Sequence, residues 1–271
     1  MPAVSSTLDP PPQHVCAAFG VRADELSLLE GGTGGPVWRG ADVVLKAVQG
    51  TAEAAWVART MDELKVDGVR LARPLRSSDG RWVVAGWAAT RHVAGRPEPR
   101  HDEVVAVSLR LHQATADLAR PRFLANRSDV WAVADRAAWG DSTADLDEDS
   151  GGALFRELAV SRRPVKLREQ IVHGDLFGNV LFAGTAPPAV IDFSAYWRPP
   201  EWAAAVIVVD ALAWGGADEN LALRWAELDQ WPQVLVRALL FRLAAHALHP
   251  RSTPASLAGL RRAETLVREL L

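Results

Sequence analysis

Cysteine is all but missing from this chain. Cys16 is the only one in 271 residues, so no intramolecular disulfide can form and a cysteine-based zinc site is excluded. A reducing compartment, the cytoplasm, is the expected location. Long apolar runs are missing as well. The longest, 202–209, is interrupted by Asp210 before 211–214, short of the ~20 residues that a membrane span needs, and reads as a buried core helix. The opening MPAVSSTLDPPPQHVCAAFG has no basic segment followed by an apolar one, so no signal peptide is expected. Nor is there an excess of positive charge. Thirty Lys and Arg face 33 Asp and Glu, a formal net charge of -3, which excludes the basic footprint of a nucleic-acid or anionic-membrane binder. No repeat of 20–50 residues is present, and nothing is of low complexity beyond Pro10-Pro11-Pro12.

What is present fits a globular chain with a sizeable core, either one large domain or two small lobes: 49% of residues are hydrophobic and 23% charged. Eleven tryptophans are read as packing payload rather than a carbohydrate-stacking surface. Residues 26–48 read as strands around the glycine-rich turn Gly31-Gly32-Thr33-Gly34-Gly35 and end in the β-rich ADVVLKAV. A helical segment, TAEAAWVARTMDELK, follows, then two strand candidates, VRLARPLRS and RWVVAGWAA, joined by the turn Ser78-Asp79-Gly80.

Beyond residue 93 the chain is mostly helical. In DEVVAVSLRLHQATADLA, Val104, Val107, Leu111, Ala114 and Leu118 share one helix face, with Asp102 as an expected N-cap. Short strands then return: EQIV, the polar run HGDLFGN, and a hairpin of VLFA and AVIDF about the turn GTAPP. Everything after Glu201 reads as helix. The expected class is therefore α+β: a β-rich lobe over 1–93, and a larger helical lobe over 94–271 that carries the hairpin.

The chemistry concentrates at that hairpin. Asp175 and Asn179 lie in a polar loop between two strands, and Asp192 ends the opposite strand. Two carboxylates and a carboxamide are hard oxygen ligands, suited to magnesium carrying substrate phosphates. One carboxylate can stay off the metal and accept the proton of an attacking hydroxyl. The structural alternative is that Asp175 caps a turn while Asn179 satisfies loop backbone. Three such residues ordered around one hairpin favour the functional reading.

HGDLFGNVLF followed by VIDFS resembles the catalytic loop and metal-binding aspartate of the aminoglycoside phosphotransferase and choline kinase superfamily, with a particular likeness to uncharacterised actinobacterial members. That resemblance implies a two-lobed protein-kinase-like fold and ATP and Mg2+ as cofactors. It further implies Asp175 as catalytic carboxylate, and Asn179 and Asp192 as magnesium ligands. In this kind of phosphoryl transfer a glycine-rich loop covers the phosphates, and a strand lysine reaches them while a helix glutamate holds it. The expected counterparts are Gly32, Thr33 and Gly34, then Lys46, with Glu53 as its partner and Glu63 as second choice. The interlobe linker, where adenine would meet the backbone, is expected within 87–95.

His112 and His173 are expected to brace the loop rather than transfer protons, and Asp210 to brace it from a central helix. Two departures from the family pattern stand out. Asn179 follows Asp175 by four residues instead of the usual five, and the usual GDPxxD continuation is replaced by RPPEWA. The function expected is ATP- and magnesium-dependent transfer to a hydroxyl of a small molecule: a sugar, an aminoglycoside or an amino alcohol. The alternative is a catalytically weak kinase-fold protein that binds nucleotide or a partner. A metal-dependent hydrolase built on His173, Asp175 and Asp192 would leave Lys46 and the glycine turn unused.

Overall fold

The computed structural model describes residues 9–29 and 35–271. It opens with a short helix, α1 (Gln13–Ala18), and the strands β1 (Ser27–Leu29), β2 (Val37–Gly40) and β3 (Val43–Ala47). Helix α2 (Thr51–Glu63) follows, then β4 (Arg70–Leu71), β5 (Pro74–Leu75), β6 (Val83–Val84) and β7 (Trp87–Arg91). The first sheet runs β1-β2-β3-β7-β5, with β6 joined to β7. Alternation fixes its two faces: Val43 and Leu45 point into a small core with Val15, Cys16, Phe19 and Val84, which sends Lys46 to the opposite face.

The two long strand candidates are each broken in the structure. RWVVAGWAA folds back on itself as a β6–β7 hairpin because Ala85 and Gly86 both take positive φ, 46° and 79°, the backbone of a tight two-residue hairpin turn. VRLARPLRS splits between two sheets. Its first half, β4, pairs in parallel with β10 (Ala186–Val190), and only β5 joins the first sheet.

The remainder comprises α3 (His101–Thr115), α4 (Val130–Trp139), α5 (Ala153–Ala159), β8 (Gln170–His173), β9 (Val180–Ala183), the strand β10 and β11 (Ala195–Arg198). After these come α6 (Pro200–Trp214), α7 (Leu221–Arg224), α8 (Trp231–Leu248) and α9 (Pro254–Arg268). Apart from Glu201 and Asp210, helix α6 is apolar all round, and every residue of it from Trp202 to Ala213 is buried, as expected of a central helix. Tyr196, Trp202 and Phe241 meet edge to face, with ring centroids 5.4–5.7 Å apart, so tryptophan here serves packing. The RPPEWA departure has a structural purpose. Pro199 and Pro200 start α6 where the missing N–H costs nothing. Arg198, nearly buried, anchors β11 to α4 through Asp135 at 2.8 Å. The expected cap at Asp102 is not made: Arg100 precedes the helix, and the Asp102 carboxylate instead accepts from Arg224 and Trp225.

The chain passes from the first sheet to α3 through a linker pinned to the hairpin. The Arg96 N–H donates to the Phe182 carbonyl at 3.0 Å, and the Phe182 N–H donates back at 2.9 Å. Gly95 makes this approach possible. Its φ is +140°, and a Cβ there would lie 2.8 Å from the Phe182 carbonyl oxygen, closer than real side chains pack.

Candidate active site

Strand pairing brings the two polar loops together. β11 runs antiparallel to β8, with Ala195 opposite His173, while β9 and β10 form the hairpin between them. Residues 174–179 and 191–194 therefore emerge side by side at one end. The Gly174 N–H donates to the Ser194 carbonyl at 3.1 Å, and the Ile191 N–H to the Asn179 carbonyl at 3.0 Å.

Two buried histidines hold this junction from behind. The His173 N–H donates to His112 Nε2 at 2.9 Å. That nitrogen must be the unprotonated one, so His112 carries its proton on Nδ1, 3.2 Å from Ser108 Oγ. His173 Nδ1 in turn accepts from the Asp175 N–H at 3.1 Å and the Ser194 N–H at 3.5 Å. Its Nε2–H is then aimed at the Ile191 carbonyl. Burial pushes the His112 imidazole down to about 3 and lowers His173 as well, against the pull of Asp175. Both rings are neutral at physiological pH and act as hydrogen-bonded braces, in keeping with the role expected for them.

The short spacing between Asp175 and Asn179 is absorbed at Gly178, whose φ of +81° costs glycine little. The Asn179 N–H closes the turn on the Leu176 carbonyl at 2.9 Å, and its Nδ2 donates to the Asp175 carbonyl at 2.7 Å. With Nδ2 engaged, Oδ1 is the atom of this amide suited to meet a cation. Asp192 also sits at positive φ, 51°, a conformation that aspartate tolerates better than most side chains.

Lys46 reaches across from β3 to the second loop. Its ammonium donates to both Asp192 carboxylate oxygens at 2.6 Å. The partner expected for it, Glu53, lies elsewhere: its carboxylate is 3.8 Å from the Arg127 guanidinium, and burial raises its pKa despite that arginine. Helix α2 therefore carries Glu53 toward β11 and α4, where Arg127 also donates to the Ala195 carbonyl at 3.0 Å. Gly32, Thr33 and Gly34 lie outside the described residues.

Sequence reasoning missed Arg242 on α8. It is buried and donates to Asp210 on α6 through Nε at 2.7 Å, and to Asp175 Oδ1 through Nη2 at 2.8 Å. The only signal for it was a charged residue inside an apolar helix. Asp210 thus supports the loop, as expected, but by way of a guanidinium. Burial is the larger influence on Asp210 and raises its carboxyl to about 6 against the pull of Arg242. The same carboxylates hold the Arg242 guanidinium firmly protonated against its burial, so Asp210 and Arg242 face each other as a charged pair at neutral pH.

Asn179 Oδ1 and the Asp192 carboxylate are hard oxygen donors, and the Asp192 carboxylate already meets one cation, the Lys46 ammonium. Among the described residues, no group of three or more His, Cys, Asp or Glu forms a cage of its own. A set of two donors suits a cation that takes its other ligands from water and phosphates. On the far side of the loop, Phe177 stacks on His101 with centroids 6.1 Å apart. His101 also lines a polar cavity of about 310 Å³ between the start of α3 and the segment after α6.

Comparison with solved structures shows where this architecture recurs. A thermostable mutant of aminoglycoside phosphotransferase APH(4)-Ia superposes with a TM-score of 0.61 at 16% identity, covering 95% of this chain and 98% of that one. A ternary complex of the same enzyme with AMP-PNP and hygromycin B gives 0.59 at 18%, covering 94% and 97%. A choline/ethanolamine kinase family protein from Mesorhizobium loti gives 0.54 at 16%, covering 94% of each chain. At these identities the likeness shows the fold, which is protein-kinase-like. Comparison with curated protein sequences found no match. Among the described residues, no helix is long and apolar enough to cross a membrane. The family profile for the phosphotransferase enzyme family matches residues 28–196, more than half the chain, and the chain therefore belongs to that family.

Proposed function

We propose that this protein transfers the γ-phosphoryl group of ATP, with magnesium, to a hydroxyl of a small molecule in the cytoplasm. The observation that carries the reading is the approach of Lys46, from the first sheet, to Asp192 beside the Asp175 loop. That contact joins two distant parts of the sequence, the β3 strand and the single stretch 175–192 that carries Asp175, Asn179 and Asp192. Asn179 Oδ1 and Asp192 would hold the magnesium, which neutralises phosphate charge when bound. Lys46, released from Asp192, would turn its ammonium to the phosphates. Asp175 would orient the acceptor hydroxyl and take its proton. The bond from the acceptor oxygen to the γ-phosphorus forms as the bond from that phosphorus to the β–γ bridging oxygen breaks, and ADP leaves with the electron pair. The cavity that His101 lines with Asp102, Asp218 and Arg224 is the proposed acceptor side, and it favours a polar small molecule such as a sugar, an aminoglycoside or an amino alcohol.

One observation favours a second reading, a nucleotide-binding protein with little transfer activity. Glu53 is engaged by Arg127 rather than Lys46, so among the described residues the lysine meets Asp192 and not the helix glutamate that holds it in active kinases. The test is thermal unfolding with and without Mg-ATP, combined with ADP release over a panel of hydroxyl acceptors. Nucleotide at a hundredfold excess over its Kd should add about 2.7 kcal/mol of stability, and Asp192→Ala should remove most of it. No shift in the wild type at millimolar Mg-ATP would overturn both readings. A shift without ADP release from any acceptor would favour the second.

A further inference from the structure

Arg242 is an expensive residue for its position. Its side chain is 6% exposed and that of Asp210 is 1% exposed. The guanidinium carbon lies 5.0 Å from the Phe241 ring centroid and 5.8 Å from that of Trp131. If its task were only to join α6 to α8, a well-packed apolar pair would serve as well or better, because desolvating two charges offsets most of their attraction. The fork has a third partner, however. Nη2 is shared between Asp210 and Asp175 Oδ1, so a cation locked in the helical core reaches out to a loop carboxylate that is 36% exposed.

Asp175 is thereby fixed at two points by independent elements. His173 Nδ1 holds its backbone N–H, and Arg242 holds one oxygen of its side chain. The second oxygen is left to face the acceptor hydroxyl. Loop side chains normally sample several rotamers, and each degree of freedom removed beforehand need not be lost in the transition state.

We propose that Arg242, held in place by Asp210, is the positioning residue for the carboxylate of Asp175. The proposal rests on the phosphotransferase reading, since it assigns Asp175 a substrate to face. Asp210 sets the plane of the guanidinium, and the guanidinium sets the rotamer of Asp175.

The test is steady-state kinetics of ADP release from Mg-ATP, with water as acceptor and with any hydroxyl acceptor found active, on Arg242→Met, Arg242→Lys and Asp210→Asn. Methionine keeps most of the packing volume but cannot hold the carboxylate. Arg242→Met should lower kcat about a hundredfold, the cost of a misplaced group, while KM for ATP and the Mg-ATP thermal shift change by less than about threefold. Lysine keeps the buried charge but lacks the fork that spans two carboxylates, so Arg242→Lys should also lose kcat, and it carries the test if Arg242→Met does not fold. Asp210→Asn should fall between these and wild type. Guanidinium added to Arg242→Ala should restore part of kcat, and ammonium at the same concentration should not. A folded Arg242 variant that keeps its kcat within threefold overturns the proposal while leaving the phosphotransferase reading intact. A loss shared equally by kcat, nucleotide binding and melting temperature, without guanidinium rescue, also overturns it, because that pattern marks a structural role. A wild type that releases no ADP from Mg-ATP overturns the reading itself, and the proposal with it.

Discussion

His112 makes the loop's support sensitive to acid, in a direction fixed by its burial. The imidazole is pushed down to about 3 in the folded chain, against an ordinary value near 6.5 in the unfolded one. Below pH 6.5 the unfolded state takes up a proton that the folded state refuses. The associated stability is therefore complete above the unfolded value and drains away as the pH falls toward 3. Between pH 7 and pH 5 the loss attributable to His112 is about 2 kcal/mol, or about 4–8 °C in melting temperature for a chain of this size. Asp210 works the other way. Its carboxyl is raised to about 6, so its share is lost as the pH rises through 6 and recovered on acidification. The two must be separated by a difference measurement. In His112→Gln, the side-chain oxygen can still accept the His173 N–H that Nε2 now accepts, while the titration is removed. The variant should be less stable at pH 7 but should lose about 2 kcal/mol less than wild type on going to pH 5. Urea unfolding at the two pH values supplies the numbers. Parallel pH dependences in the two proteins would refute the assignment of His112 as a buried neutral brace.

Lys46→Ala should weaken Mg-ATP binding about ten- to a hundredfold, the range for one lost charge-assisted contact, whereas Lys65→Ala, an exposed site, should leave it unchanged; isothermal titration with a non-hydrolysable analogue checks both. Gly95→Ala adds a side chain at positive φ and against the Phe182 carbonyl, and should cost about 2 kcal/mol or more of stability, read from the midpoint of urea unfolding.

The parts of the site that lie within one stretch of chain were legible in the sequence. A polar loop between two β-rich segments announces itself through local pattern, and Asp175, Asn179 and Asp192 fell where strand ends converge. Gly178 was legible for the same reason, since the shortened spacing demanded a residue that turns freely. The strand under Lys46 was legible too, since the β-rich ADVVLKAV holds β3. What stayed hidden depends on which distant segments meet. Nothing local in RALLFRLAAH says that its second arginine will face Asp175. Nor does any local pattern say that Glu53 will meet Arg127 instead of Lys46. The split of 69–77 between two sheets was hidden likewise, because a dipeptide strand is defined by its neighbour and not by its own composition.

That split constrains how the chain can be divided. Residues 70–71 hydrogen-bond with β10, the strand that leads into Asp192, and Gly95 and Arg96 sit directly on β9. A cut at residue 93 would therefore not release two self-sufficient modules. The N-terminal fragment would carry away the edge partner of the β9–β10 hairpin, and the C-terminal fragment would keep that hairpin with one side open. Recombination that swaps N-terminal halves between relatives would have to carry over the pairing of 70–71 with 189–190, or the incoming half would deform the hairpin between Asn179 and Asp192.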